Sequence, residues 1–248
     1  SGRLDVDPRT AELTPGFTFQ PPTGPELPAG GLAADVADAA QVVHPPAAGH
    51  AVVLEIAPDS ERLALLTPFP PWDGEDFREL PLLLKAHGKT TTDAISPAGP
   101  WLRFRGHLDR ISDNLFAGAL NAFTGETGTG TNIISGEKNQ SFSTIARDYQ
   151  RRGLGCAVVG DANYGEGSSR EHAAMSPRHL GVKVVLARSF ARIHETNLKK
   201  QGILPLTFAD PADWEQVQAD DRLSVLGLRE LAPGEPVTVR LTRADGTH

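Results

Sequence analysis

The segment Gly165-Glu166-Gly167-Ser168-Ser169-Arg170-Glu171-His172 constrains this chain more than any other. It follows a short apolar run bounded by glycines, Gly155-Cys156-Ala157-Val158-Val159-Gly160, which predicts a strand. It opens a stretch that predicts a helix from about Ser169 to His179. Gly165 and Gly167 let the backbone turn sharply and approach a ligand closely. Free N–H groups at a helix start favour anions. Arg170 adds a fork that matches a carboxylate. The segment reads as a carboxylate cradle with a hydroxyl inside it. Ser168-x-x-Glu171 also fits an N-terminal capping box, which needs no function at all. The two readings are compatible, because a cap can hold a reactive residue in place.

The regions around this segment repeat its logic. The pattern predicts a strand at Val182 to Ala187, a helix from Phe190 to Gln201 and a strand from Ile203 to Thr207. In that helix Phe190, Ile193 and Leu198 can share an apolar side, Ser189 can cap the start, and Gly202 suits the end. Alternating strands and helices imply parallel β-α-β units, whose sites gather at the carboxyl ends of strands. Upstream, Leu82 to Ala86 predicts a strand leading into a turn at Gly88-Lys89. Leu115 to Ala122 predicts a short helix, Thr124 to Gly136 a mobile loop, and Phe142 to Gln150 a helix with Gly153 beyond it. Leu223 to Leu241 reads as further strands around a Pro233-Gly234 turn, and Ala51 to Ala57 as a short strand. Residues 1 to 50 hold eight prolines, six glycines and no lysine, which predicts an extended arm without regular elements. The expected division is an arm over 1–75 and a folded domain over 76–248.

Composition removes several classes. No apolar run is long enough to span a bilayer. The net charge of −7 argues against a generic nucleic-acid surface, but not against a local anion site. The single cysteine, Cys156, lies within the apolar strand and reads as a buried, inert thiol. No histidine and carboxylate set has metal-ligand spacing. Eighteen arginines against six lysines hint at a GC-rich bacterial genome and a cytoplasmic location, with the mitochondrial matrix as the other reading.

The run Gly160-Asp161-Ala162-Asn163-Tyr164-Gly165-Glu166-Gly167-Ser168-Ser169-Arg170-Glu171-His172-Ala173-Ala174 resembles the signature of the aconitase C-terminal domain. The stretch from Ser189 to Asp213 is similar to aconitases of the mitochondrial type almost residue for residue, and Gly88 to Asp93 and Gly99 to His107 resemble the family as well. The resemblance covers about residues 50 to 248. It implies a swivelling β/β/α domain, joined by a long linker to domains that hold a 4Fe-4S cluster on cysteines this chain does not contain. The chain then reads as the last domain of a longer hydro-lyase that interconverts citrate and isocitrate through cis-aconitate, inactive without the cluster-bearing domains. By the same resemblance Ser168 is the catalytic base, Arg105, Arg170 and Ser169 bind substrate carboxylates, and Asp93 and Ser96 support them. Ala94 stands where the family usually has histidine, Ser96-Pro97 replaces the usual Ser-Ala, and the family's final short segment is not seen. Two alternatives remain: the small subunit of a two-chain isopropylmalate or homoaconitate-type hydro-lyase, and an RNA-binding module, against which the acidic balance argues.

Overall fold

The computed structural model describes residues 12–14, 17–18, 44–45 and 47–248. Contacts divide the chain into two units, Ser1–Leu54 and Glu55–His248. In the first, Glu12–Thr14 (β1) and Phe17–Thr18 (β2) pair antiparallel, a regular element in a stretch expected to have none. Of the rest of the proline-rich stretch over residues 1–50, only 44–45 and 47–50 are described, the last of them entering a short turn of 3-10 helix at Gly49–Ala51. Residues 52–56 form no strand, contrary to expectation.

The second unit is built on a six-stranded sheet. Its strands are β3 (Phe77–Lys85), β6 (Cys156–Gly160), β7 (Val182–Ala187), β8 (Leu204–Thr207), β9 (Arg222–Leu226) and β10 (Thr238–Thr242), in the order β10-β9-β3-β6-β7-β8. The pairs β3–β6, β6–β7 and β7–β8 are parallel, and β9 joins β3 and β10 antiparallel. The parallel half follows from the β-α-β alternation in the sequence. All five residues of β6 are buried, as a central strand covered on both faces requires. A separate small pair, β4 (Thr129–Gly130) with β5 (Gln140–Ser141), interrupts the glycine-rich loop.

Five α-helices accompany these strands: α1 (Thr92–Ile95), α2 (Leu108–Ile111), α3 (Phe142–Arg151), α4 (His172–His179) and α5 (Arg192–Lys200). On one face of the sheet, Phe142, Ile145 and Tyr149 of α3, Ala173 and Ala174 of α4 and Leu198 of α5 pack on Val158, Val182 and Val185. On the other, Trp214, Val217 and Leu228 cover Val159, Val184, Leu223 and Val225. Helix α3 starts where Ser141 Oγ accepts the Thr144 N–H at 3.2 Å, and Gly153 follows it at φ +73°.

Three helical expectations need correction. Residues 115–122 form turns and bridges, because the chain there pairs backward: Leu120 bridges Thr127 and Asn121 bridges Ala86. Helix α4 begins at His172 rather than Ser169, with no side-chain cap. Helix α5 begins at Arg192, and its buried side carries His194 and Leu198 while Ile193 is exposed. An i, i+4 pair is the natural seam of a short helix, and the polar histidine concealed it in the sequence. Accordingly, Leu198→Ala is expected to lower stability by about 2–5 kcal/mol. Ile193→Ala should change it by no more than about 0.5 kcal/mol, and urea denaturation of the two variants checks the register.

Candidate active site

Parallel strands bring the exits of β3, β6 and β7 to one edge of the sheet. The exit of β3 leads into residues 88–96, that of β6 into 161–171, and that of β7 into 188–191. These three segments are bonded to one another. The Gly165 N–H donates to the Thr90 carbonyl at 2.8 Å, and the Thr92 N–H to the Glu166 carbonyl at 2.9 Å. The Thr92 hydroxyl donates to the Ser168 carbonyl at 2.9 Å. Lys89 Nζ lies 2.8 Å from Glu166 Oε2. From the other side, the Ser189 hydroxyl accepts the Asn163 N–H at 2.8 Å, and the Ser189 carbonyl accepts the Tyr164 N–H at 2.9 Å. Ser189 therefore holds the loop instead of capping α5, whose start has no side-chain cap.

Glycine is required twice in this loop. Gly165 has φ +82°, and a Cβ there would overlap the His194 ring beneath it. Gly167 has φ +123°, and its Cβ would stand 3.0 Å from the Thr92 hydroxyl. His194 is 1% exposed, and neither ring nitrogen has a partner among the described residues. Burial pushes its pKa down from 6.5 to about 4, so it is a neutral packing element at ordinary pH.

Two of the expected side chains, Ser168 and Asp93, meet at Arg170. Its Nε donates to Ser168 Oγ at 3.1 Å, one Nη1 bond goes to Asp93 Oδ1, and Nη1 also approaches the Ser96 carbonyl at 3.3 Å. The Arg170 guanidinium, followed by the Ala98 N–H, holds the Asp93 carboxyl below its ordinary range. Asp93 is positioned by α1, which Thr91 caps through the Ala94 N–H at 3.0 Å. Ser168 makes no bond with the α4 start, so the capping-box reading of Ser168 and Glu171 fails. With the first turn of the expected helix unwound, the hydroxyl is free to sit against the guanidinium.

The remaining expected residues are placed differently. The Ser96 hydroxyl is buried and donates to Asn114 Oδ1 at 3.2 Å, so Ser96 meets Arg170 through its carbonyl only. Ser169 is exposed beside Ser168. Arg105 is exposed in a groove of about 550 Å³ between α4 and residues 64–70. It joins the octet through its carbonyl, which accepts from His172 Nε2 at 2.9 Å. That bond gives His172 a structural task. Sequence reasoning missed Thr90, Thr92, Ser189 and His194. Only the two glycines signalled that something would approach the loop closely; their partners lie too far along the chain for any spacing to reveal.

The family described as Aconitase C-terminal domain matches residues 80–211. The aconitate hydratase of Gracilaria gracilis, a mitochondrial protein by name, is 50% identical over all of this chain. That of Saccharomyces cerevisiae is 49% identical over 99% of it. This chain belongs to the aconitase C-terminal domain family. It spans about a third of the length of those relatives, 32% of each. Because they carry the matching region inside much longer chains, the small-subunit alternative is not favoured. A solved 3-isopropylmalate dehydratase from Methanocaldococcus jannaschii is 19% identical, covering 67% of this chain and 81% of that one, with a TM-score of 0.39. The expected bacterial cytoplasmic location is overturned, since the close relatives are named as mitochondrial proteins.

The aconitase-type iron–sulfur cluster does not fit the residues of this chain. Cys156 is fully buried in β6, and burial pushes its thiol up to about 12. Among the described residues no group of three or more His, Cys, Asp or Glu could hold a metal.

Two outcomes follow from this geometry. Gly165→Ala is expected to cost about 3 kcal/mol or more, from positive φ combined with overlap on His194, read by urea denaturation. For His194 the folded value near 4 lies below the unfolded 6.5, so the unfolded chain takes up the proton first. Its contribution is whole above pH 6.5 and is lost as pH falls toward 4, up to about 3 kcal/mol. His194→Leu should flatten the stability slope over that window.

Proposed function

We propose that this chain is the C-terminal domain of an aconitate hydratase, supplying the base and carboxylate ligands for interconversion of citrate and isocitrate through cis-aconitate. The observation that carries the reading is the Arg170 guanidinium, bonded at once to Ser168 Oγ and to Asp93. A serine hydroxyl is a very poor base in water. A fixed cation 3.1 Å from its oxygen stabilises the alkoxide, as preorganised charge does wherever an anion must form. The Ser168 alkoxide then takes the proton from the carbon beside a substrate carboxylate, and returns it in the hydration step. Asp93 holds Arg170 in register from the opposite loop. Arg170 Nη2 has no partner among the described residues and can donate to a substrate carboxylate. Arg105 and Ser169 are proposed for the other carboxylates, since three negative groups require more than one donor set.

Ser168 and Ser169 are exposed in this chain, so water would compete for every one of these interactions. The reading therefore places the domain against the cluster-bearing domains of the same polypeptide, which would dehydrate the site. The 4Fe-4S cluster belongs to those domains, and loss of the substrate hydroxyl is not assigned to any residue here. Residues 1–75 are proposed as the connecting arm and 76–248 as the domain proper. The end of that arm lies along the domain, where Leu63 bridges Gly106 and Arg178 Nη2 donates to the Pro70 carbonyl at 3.1 Å. The relatives' names go with a mitochondrial location.

The test is kinetic, in the full-length enzyme or in this chain mixed with the cluster-loaded remainder. Ser168→Ala should lower kcat for isocitrate dehydration, followed by cis-aconitate absorbance, by about 10²–10⁴-fold. Arg170→Lys keeps the charge but loses the fork, and should raise KM about tenfold or more. Full activity of Ser168→Ala would place the base elsewhere, and activity of this chain by itself would refute the reading.

A further inference from the structure

Asp161, the first residue beyond β6, is charged in character yet only 7% exposed. Its Oδ2 accepts the Gly88 N–H at 2.8 Å, at the point where the chain leaves β3 for Thr90–Asp93. Its Oδ1 accepts the Ala162 N–H at 2.8 Å, at the entry to the loop that carries Ser168. The same oxygen accepts from Arg188 Nη1 at 3.1 Å, and Arg188 is the first residue beyond β7, next to Ser189. One carboxylate thus joins the exits of three neighbouring strands. Arg188 is itself fixed: Nε donates to the Pro211 carbonyl at 3.0 Å, Nη2 to Glu215 at 2.8 Å, and its guanidinium stacks on Trp214 at 4.5 Å. Lys85 Nζ lies 3.8 Å from the same Trp214 ring and donates to the Val217 carbonyl at 3.0 Å. His87 Nδ1 stands 3.9 Å from Asp161 Oδ2.

We propose that Asp161, held by Arg188, is a positioning residue that sets the distance between the Asp93 segment and the Ser168–Arg170 loop; this rests on the function proposed above. The geometry gives the reason. Arg170 must reach Ser168 on its own loop and Asp93 on the other, so any slip between the segments separates the base from its counter-charge. The bonds between Thr90–Thr92 and Gly165–Ser168 align the two segments near their tips, and Asp161 ties their roots. Burial would raise the Asp161 pKa, but the Gly88 and Ala162 N–H groups and Arg188 outweigh it and hold it below the usual range. The clamp is therefore anionic at working pH. Asparagine cannot replace it without turning an amide N–H toward one of three donors.

The experiment uses the full-length, cluster-loaded enzyme carrying Asp161→Asn, with Arg188→Gln as a second variant that leaves both N–H bonds to Asp161 intact. Kinetics with isocitrate are combined with hydrogen–deuterium exchange. For Asp161→Asn the expected result is a fall in kcat of about 10–100-fold, because proton transfer tolerates little displacement. KM should move less than about threefold, because an arginine fork on a long side chain follows the substrate. Exchange should quicken at 88–93 and 163–168 while α3 stays protected. Arg188→Gln should give a smaller change of the same kind, and serves alone if Asp161→Asn does not fold. Wild-type kcat, or loops as protected as in the wild type, would overturn the proposal. So would exchange quickened uniformly across the domain, which marks a merely structural role. A wild-type enzyme inactive on isocitrate would refute the function instead, and loop exchange would still decide whether Asp161 is a clamp.

Discussion

Everything at the proposed site depends on backbone pairing between two segments that are far apart in sequence. Thr90 to Thr92 and Gly165 to Ser168 exchange two N–H···O=C bonds and a hydroxyl bond, in effect extending the sheet past its carboxyl edge. Two short segments of irregular backbone would otherwise leave their polar groups to water and fluctuate independently. Paired, they behave as one element. The requirement for glycine at 165 follows from that pairing, since a side chain would collide with the His194 ring under the loop. Burying a histidine whose nitrogens have no partner among the described residues costs free energy. The fold accepts this cost to give the loop a flat, apolar floor.

On this platform the electrostatics are simple. One guanidinium neutralises one carboxylate and faces one hydroxyl. Asp93 keeps Arg170 from swinging into solvent, and its depressed pKa is the counterpart of that restraint. The pair lies near the surface, where such contacts are weak. It gains strength only when water is excluded, and in the proposed reading that exclusion comes from the rest of a longer polypeptide. On the proposed reading positioning and activation are separate: this domain fixes geometry, and closure supplies the low dielectric.

The parallel half of the sheet was legible because its strands are apolar on both faces and each is followed by a turn glycine or a helix. Val182–Ala187 was read to the residue. Helix α3 was legible, with Gly153 marking its end. The misread elements share a cause. Residues 115–122 carry enough apolar side chains for a helix, but their backbone bonds go to Lys85 and Glu126 instead, and no local pattern announces a long-range partner. Ile193 was expected on the apolar side of its helix, and tertiary contact buries His194 there instead. At the site, the candidate residues come from the family resemblance, and the fold joins Ser168, Arg170 and Asp93 while Arg105 lines the groove beside α4. The supporting contacts of Thr92, Ser189 and Asp161 were not, because each acts on a residue across a strand crossover.

The failed capping box shows why a local motif and a chemical role compete for the same atoms. Had Ser168 capped a helix beginning at Ser169, its oxygen would have accepted a backbone N–H of the first turn. An oxygen held in that way is directed at the helix and is ill placed to receive a proton from a ligand. In the fold, α4 starts at His172 and gives up its side-chain cap. Such a cap is worth about 1 kcal/mol. The loss is offset by bonds from Thr92 and Arg170 that hold the same residue by its carbonyl and its hydroxyl. Local stability is exchanged for a hydroxyl held against a cation, the arrangement on which the proposed role of Ser168 as a base draws.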